Sequence, residues 1–198
     1  MTGEAFQTVG AEPIRVPTGL IVLVGAPASG KSSFVRELIA GGQIDAEAVV
    51  SSDEIRAELF GTATAEAADA RIFEERDRRI VARLTDGLSA VAESTNVTPR
   101  ARARLIAIAR RFDAPVTVLR FDPGLGDLLQ QHAERGRTDL TAAEVSDYAA
   151  IMAREGGADQ LRAEGATAVH GFCGAGVRPV GCSVSGAGRP GSRRRAAG

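Results

Sequence analysis

Residues 25–32 read Gly25-Ala26-Pro27-Ala28-Ser29-Gly30-Lys31-Ser32, an unbroken match to the spacing Gly-x4-Gly-Lys-Ser/Thr. Glycines at both ends let successive backbone N–H groups turn toward one anion, and the start of a helix adds favourable dipole charge. A lysine and a hydroxyl placed directly afterwards supply a cation and a metal ligand. The set suits a nucleoside triphosphate: Gly25, Ala28, Ser29, Gly30 and Ser33 around the phosphates, Lys31 reaching the β- and γ-phosphates, and Ser32 on Mg²⁺. A tight turn that merely tolerates glycine would require neither the lysine nor the serine.

A phosphate loop alone binds ATP, so the reaction must come from other groups. Asp53 and Arg56 lie one helical turn apart, which lets a carboxylate and a guanidinium point into one pocket. In a kinase, Asp53 would accept the proton of the acceptor hydroxyl and Arg56 would hold an acceptor phosphate. In the stretch Glu93-Ser94-Thr95-Asn96, Glu93 suits a Mg²⁺-bound water or the acceptor pocket, and Asn96 is a second acceptor-site candidate. Residues 133–138 are charged and broken by Gly136, so an exposed, mobile segment is expected there. Its Arg135 and Arg137 could close over the γ-phosphate and stabilise charge in transfer.

The elements that must carry these groups are legible from periodicity. Leu20-Ile21-Val22-Leu23-Val24 is a β-branched and leucine run, as expected of a strand buried on both faces. The next helix places Phe34, Val35, Leu38 and Ile39 on one side before Gly41-Gly42 stops it. A second strand is expected over 49–51, followed by a helix that Ser51 and Glu54 start at capping-box spacing and that runs to about residue 60. A longer helix over 65–85 carries Ile72, Phe73, Ile80, Val81 and Leu84 as core residues.

Further strands are expected over 88–93, 115–121 and 166–172. Helices come between them: one with Pro99 in its first turn running through Arg111, one containing Leu125, Leu128 and Leu129, and one that Thr141 and Glu144 cap before Gly156. Strands alternating with helices imply an α/β chain with a parallel sheet sandwiched by helices and right-handed crossovers.

Composition narrows the function. The net charge is −1, yet no acidic residue follows Glu164, while Arg178, Arg189, Arg193, Arg194 and Arg195 do. Without those five arginines, 19 of the 24 basic residues face 25 acidic ones, a poor electrostatic footprint for long nucleic-acid tracts. The absence of tryptophan and the single tyrosine, Tyr148, leave few platforms for stacking bases, which keeps a short or non-nucleic acceptor in play as an alternative.

Cys173 and Cys182 lack a histidine or acidic cluster at ligand spacing and read as free thiols. His132 reads as a surface residue and His170 as a structural one. No apolar run reaches membrane-spanning length and no secretory signal opens the chain, so a cytoplasmic protein is expected. No oligomerisation signal, second phosphate loop or arginine finger is found, which leaves a motor role without support.

The order of the pieces resembles the kinase domain of the polynucleotide 5′-hydroxyl kinase family, among AAA-type P-loop ATP-binding proteins. The likeness rests on residues 25–32, on Ser52-Asp53-Glu54-Ile55-Arg56, on Glu93-Ser94-Thr95-Asn96-Val97-Thr98-Pro99, and on Arg135. Three positions depart from the family pattern: Glu93 stands in place of aspartate, and Gln131 and His132 stand where the lid usually has arginine and asparagine. The resemblance implies a P-loop kinase fold with an arginine-bearing lid, using ATP and Mg²⁺. It implies Asp53 as general base, Arg56 on the acceptor phosphate, and Arg135 over the ATP phosphates.

The expected organisation is a flexible N-terminus over 1–13, a kinase domain over 14–172 and a disordered Gly/Arg-rich tail over 173–198. The favoured reaction moves a γ-phosphate to the 5′-OH of a nucleic acid. A small-molecule kinase and a nucleotide-binding ATPase module without an acceptor are the alternatives.

Overall fold

The computed structural model describes residues 15–61, 66–136, 140–172 and 183–184. The expectations for 1–13, Arg137, Cys173, Cys182 and most of the C-terminal stretch fall outside these residues. Seven strands are present among them: β1 (Arg15–Val16), β2 (Leu20–Val24), β3 (Val49–Ser51), β4 (Ala90–Glu93), β5 (Val116–Phe121), β6 (Ala168–Phe172) and β7 (Ser183–Val184). The helices are α1 (Lys31–Ala40), α2 (Ser52–Phe60), α3 (Glu66–Thr85), α4 (Pro99–Arg110), α5 (Leu125–Arg135), α6 (Ala142–Glu155) and α7 (Ala158–Glu164).

Five strands form one parallel sheet in the order β3-β4-β2-β5-β6, and β1 pairs with β7 in a separate two-stranded parallel ladder. β2 lies at the centre, with Leu20 in register with both Ala90 and Val116. Because successive side chains alternate between faces, its five buried residues feed two cores. Leu20, Val22 and Val24 pack with Ile72, Ile80 and Leu84 of α3 and Leu105 and Ile106 of α4. Ile21 and Leu23 point the other way, onto Phe34, Val35 and Leu38 of α1. Each such side chain contributes about 1.5–3 kcal/mol on burial, so the central strand must be apolar on both sides.

A third, smaller core joins Ala26 of the phosphate loop to Leu128 of α5 and Val145 of α6, and so fixes both helices beside the loop. Helix starts follow the sequence signals. Ser51 and Thr98 accept hydrogen bonds from the N–H groups of Glu54 and Ala101, and Thr141 with Glu144 forms the full capping box. No helix among the described residues is long and apolar enough to cross a membrane.

The structure differs from expectation at several elements: β6 begins at Ala168 and not at 166, and β7 falls within the stretch expected to be disordered. β4 begins at Ala90, since the fully buried Ser89 hydroxyl accepts a hydrogen bond from the Gly19 N–H instead of continuing the ladder. Residues 133–135 are the last turn of α5 and not part of a loop; the chain leaves the helix at Gly136, whose φ of 59° is left-handed. The short α7 was not foreseen.

The buried guanidinium of Arg102 binds α7 to its surroundings. It is bonded to both carboxylate oxygens of Glu164, at 2.6 and 2.7 Å, and to the carbonyls of Asn96 (3.1 Å), Val97 (2.7 Å) and Glu155 (2.7 Å). One side chain therefore ties α4 to the loop after β4, to the end of α6 and to α7. Removing one partner of such a pair leaves an uncompensated buried charge. Arg102→Ala is expected to lower unfolding stability by about 3–5 kcal/mol in urea titration. Glu164→Gln should cost distinctly less, because Arg102 keeps its three carbonyls.

Candidate active site

The loop between β2 and α1 is shaped by contacts with the neighbouring strands. The Gly25 N–H donates to the Thr95 carbonyl at 2.9 Å, which fastens the loop to the end of β4. A Cβ on Gly25 would lie 2.6 Å from the Phe121 carbonyl oxygen and 2.8 Å from Ser29 Oγ, so only glycine fits. Ala28 (φ 64°) and Gly30 (φ 93°) are left-handed, and this change of hand produces a concave run of backbone N–H groups suited to an anion. The left-handed conformation costs an alanine about 1 kcal/mol or more.

Lys31 opens α1 and is buried. Its Nζ donates to the carbonyls of Gly25 (2.9 Å) and Ala26 (2.7 Å) and to Ser29 Oγ (3.2 Å), which matches the three donors of an ammonium. Burial nevertheless pushes its pKa down to about 7; Glu93 and Asp53 oppose the shift, and Arg135 adds to it. Glu93 ends β4 and accepts a hydrogen bond from the Ser32 side chain. Its carboxyl is held above the usual range by burial, and by Glu54 and Asp53, against the pull of Ser32 and Lys31.

These groups border one cavity of about 480 Å³ at the carboxyl ends of the strands, where open α/β sheets bind ligands. Ala28, Ser29, Gly30, Lys31 and Ser32 lie on it, as do Asp53, Arg56, Glu93 and Arg135. Three expected site residues do not. Gly25 sits beneath the loop, and the Ser33 hydroxyl accepts a hydrogen bond from Arg36 at 3.1 Å. Asn96 is corrected to an internal role: it is buried with φ 47°, and its Nδ2 donates to the Leu23 carbonyl at 2.9 Å, tying the loop after β4 to the central strand.

Arg56 is paired with a carboxylate that sequence reasoning missed, Asp69 of α3, at 2.6 Å. Phe73, expected in the core, is 37% exposed and lines the cavity, as does Tyr148. The spacing of α3 puts Asp69 and Phe73 one turn apart, the only sequence signal that they share a face.

The donor set fits a magnesium ion. Ser32 and Glu93 already share a hydrogen bond, and the buried Ser52 Oγ on the cavity wall has no partner. Among the described residues no cluster of three or more His, Cys, Asp or Glu would cage a metal. Such sparse protein ligation is usual for Mg²⁺, which takes its remaining oxygens from phosphates and water.

Residues 20–154 match the model of the AAA domain family. The chain belongs to that family. No curated protein matches it.

Solved structures share the fold of this AAA domain at low identity. A chain of the Pnkp1/Rnl/Hen1 RNA repair complex superposes with a TM-score of 0.61 at 20% identity, covering 76% of this chain and 47% of that one. A putative kinase from Chloroflexus aurantiacus gives 0.53 at 17% identity, over 79% and 85% of the two chains. A gluconokinase from Sinorhizobium meliloti gives 0.51 at 16% identity, over 80% and 83%. The chain spans about half the length of the RNA repair chain that it matches.

The position of Lys31 predicts a proton linkage. With a pKa of about 7 the free side chain is mostly neutral at pH 8, and a polyphosphate beside it restores the ammonium. ATP binding at pH 8 should therefore take up close to one proton, and affinity should fall as pH rises above 7. Calorimetry in two buffers of different ionisation enthalpy would read the uptake, which should vanish in Lys31→Ala.

Proposed function

We propose that this AAA domain transfers the γ-phosphate of ATP to a hydroxyl, the favoured acceptor being the 5′-OH of a nucleic-acid end. The observation that carries the reading is the joint placement of Asp53 and Arg56 with the Lys31 loop on one cavity. The Asp53 carboxylate takes the acceptor's proton as its oxygen bonds to the γ-phosphorus and the bond to ADP breaks. The loop N–H groups and Lys31 hold the phosphates. Arg135, at the end of α5, supplies positive charge as the lid arginine. Ser32 with Glu93 would hold Mg²⁺, which neutralises phosphate charge when bound.

Arg56 is already engaged by Asp69 through one of its N–H groups. That partnered guanidinium, together with a cavity of about 480 Å³, favours a second reading in which a small, uncharged hydroxyl compound is phosphorylated.

Transfer of label from γ-labelled ATP to 5′-hydroxyl DNA and RNA oligonucleotides tests the first reading. Wild type should label them and Lys31→Ala should not. Asp53→Asn should bind ATP while kcat falls by about 10²–10⁴-fold. Label appearing on small polyols and on no oligonucleotide would establish the second reading instead.

A further inference from the structure

Three large apolar side chains are exposed among the described residues, Leu59, Phe73 and Leu125, and of these Phe73 alone lies on the catalytic cavity. At 37% exposure, Phe73 presents part of an aromatic ring to the cavity that also holds Asp53. Its neighbours hold the ring in place.

The guanidinium carbon of Arg76 sits 4.9 Å from the centroid of the Phe73 ring. Arg76 is itself 2% exposed and is held by the Asp77 carboxylate at 3.0 and 2.8 Å, which also accepts a hydrogen bond from Arg104 of α4. A cation over one face stabilises the ring where it stands. The part of Phe73 that remains accessible faces an aqueous cleft shared with Asp53, the Arg56–Asp69 pair and Tyr148. An apolar, π-bearing surface next to paired donors and acceptors suits a planar ring with polar edges.

We infer that Phe73, braced by Arg76, stacks on the terminal nucleobase of the acceptor while Asp53 meets its 5′-hydroxyl, so that Phe73 determines specificity for a base-bearing end. The inference rests on the 5′-hydroxyl reading and adds to it a residue that sets the substrate class. It also resolves a tension in the composition. A chain with one tyrosine and no tryptophan has few stacking platforms, but Phe73 and Tyr148 both stand at the site where one is needed.

The test compares a 5′-hydroxyl oligonucleotide ending in adenosine with the same oligonucleotide ending in an abasic tetrahydrofuran residue. Wild type should prefer the base-bearing end by about tenfold in kcat/KM, within the range that stacking one base supplies. In Phe73→Leu the ratio should fall to about twofold or less, and in Phe73→Tyr it should be kept. Because the ratio is internal to each variant, a general loss of folded enzyme lowers both rates and leaves it unmoved.

Binding is read separately from turnover, with a 5′-terminal 2-aminopurine oligonucleotide and a non-hydrolysable ATP analogue. Quenching in wild type that is lost in Phe73→Leu supports stacking. Quenching without phosphorylation would overturn the kinase reading and keep the stacking contact. Phosphorylation with no preference for the base, or with a preference that survives in Phe73→Leu, would overturn the contact and keep the kinase reading. Neither binding nor phosphorylation would overturn both.

Discussion

The site depends on a lysine amine held almost out of water at the edge of the cavity. Lys31 Nζ lies inside the curve of its own loop, and three oxygens from Gly25, Ala26 and Ser29 replace the hydration it has lost. Those oxygens converge only if the loop keeps its curvature. The curvature in turn requires Gly25 against Phe121, the bond from Gly25 to Thr95, and the packing of Ala26 under α5 and α6. The central strand and its two neighbours can thus be viewed as a frame built to hold one ammonium in place.

Charges of both signs meet at the cavity. Lys31 and Arg135 line it together with Asp53 and the Arg56–Asp69 pair, and Lys31 feels both Arg135 and Asp53. Glu93 joins them, hydrogen-bonded to Ser32 and short of solvent. A group arriving beside Lys31 should be anionic. One arriving beside Asp53 gains more from a hydroxyl and a flat apolar surface than from added negative charge.

The strands were the most legible part of the fold, because a sheet covered on both faces writes its central strand as a continuous apolar run, 20–24, and its neighbour 116–121 as a β-branched and apolar one broken only by Arg120. The phosphate loop was legible because its function dictates residue types at fixed spacing. What escaped depends on contacts between distant elements. Phe73 has the helical spacing of a core residue, and only the position of α3 at the mouth of the cavity exposes it. Arg56 pairs with Asp69, thirteen residues away on another helix, and not within its own turn. Asn96 has the residue type of a ligand but is used to clasp β2. The helix α7 is only seven residues long between two glycines, too short for periodicity to mark.

Ala28 occupies a left-handed position that a glycine would adopt more easily. Alanine has fewer conformations to lose when the chain folds, but at positive φ the strain of about 1 kcal/mol or more outweighs that gain, so neighbouring contacts must hold the turn. Those contacts come from the strands on either side, through the Thr95 carbonyl after β4 and Phe121 at the end of β5. A tight turn that looks imperfect by its dihedral angles is, in this sense, shaped from outside by the sheet beneath it.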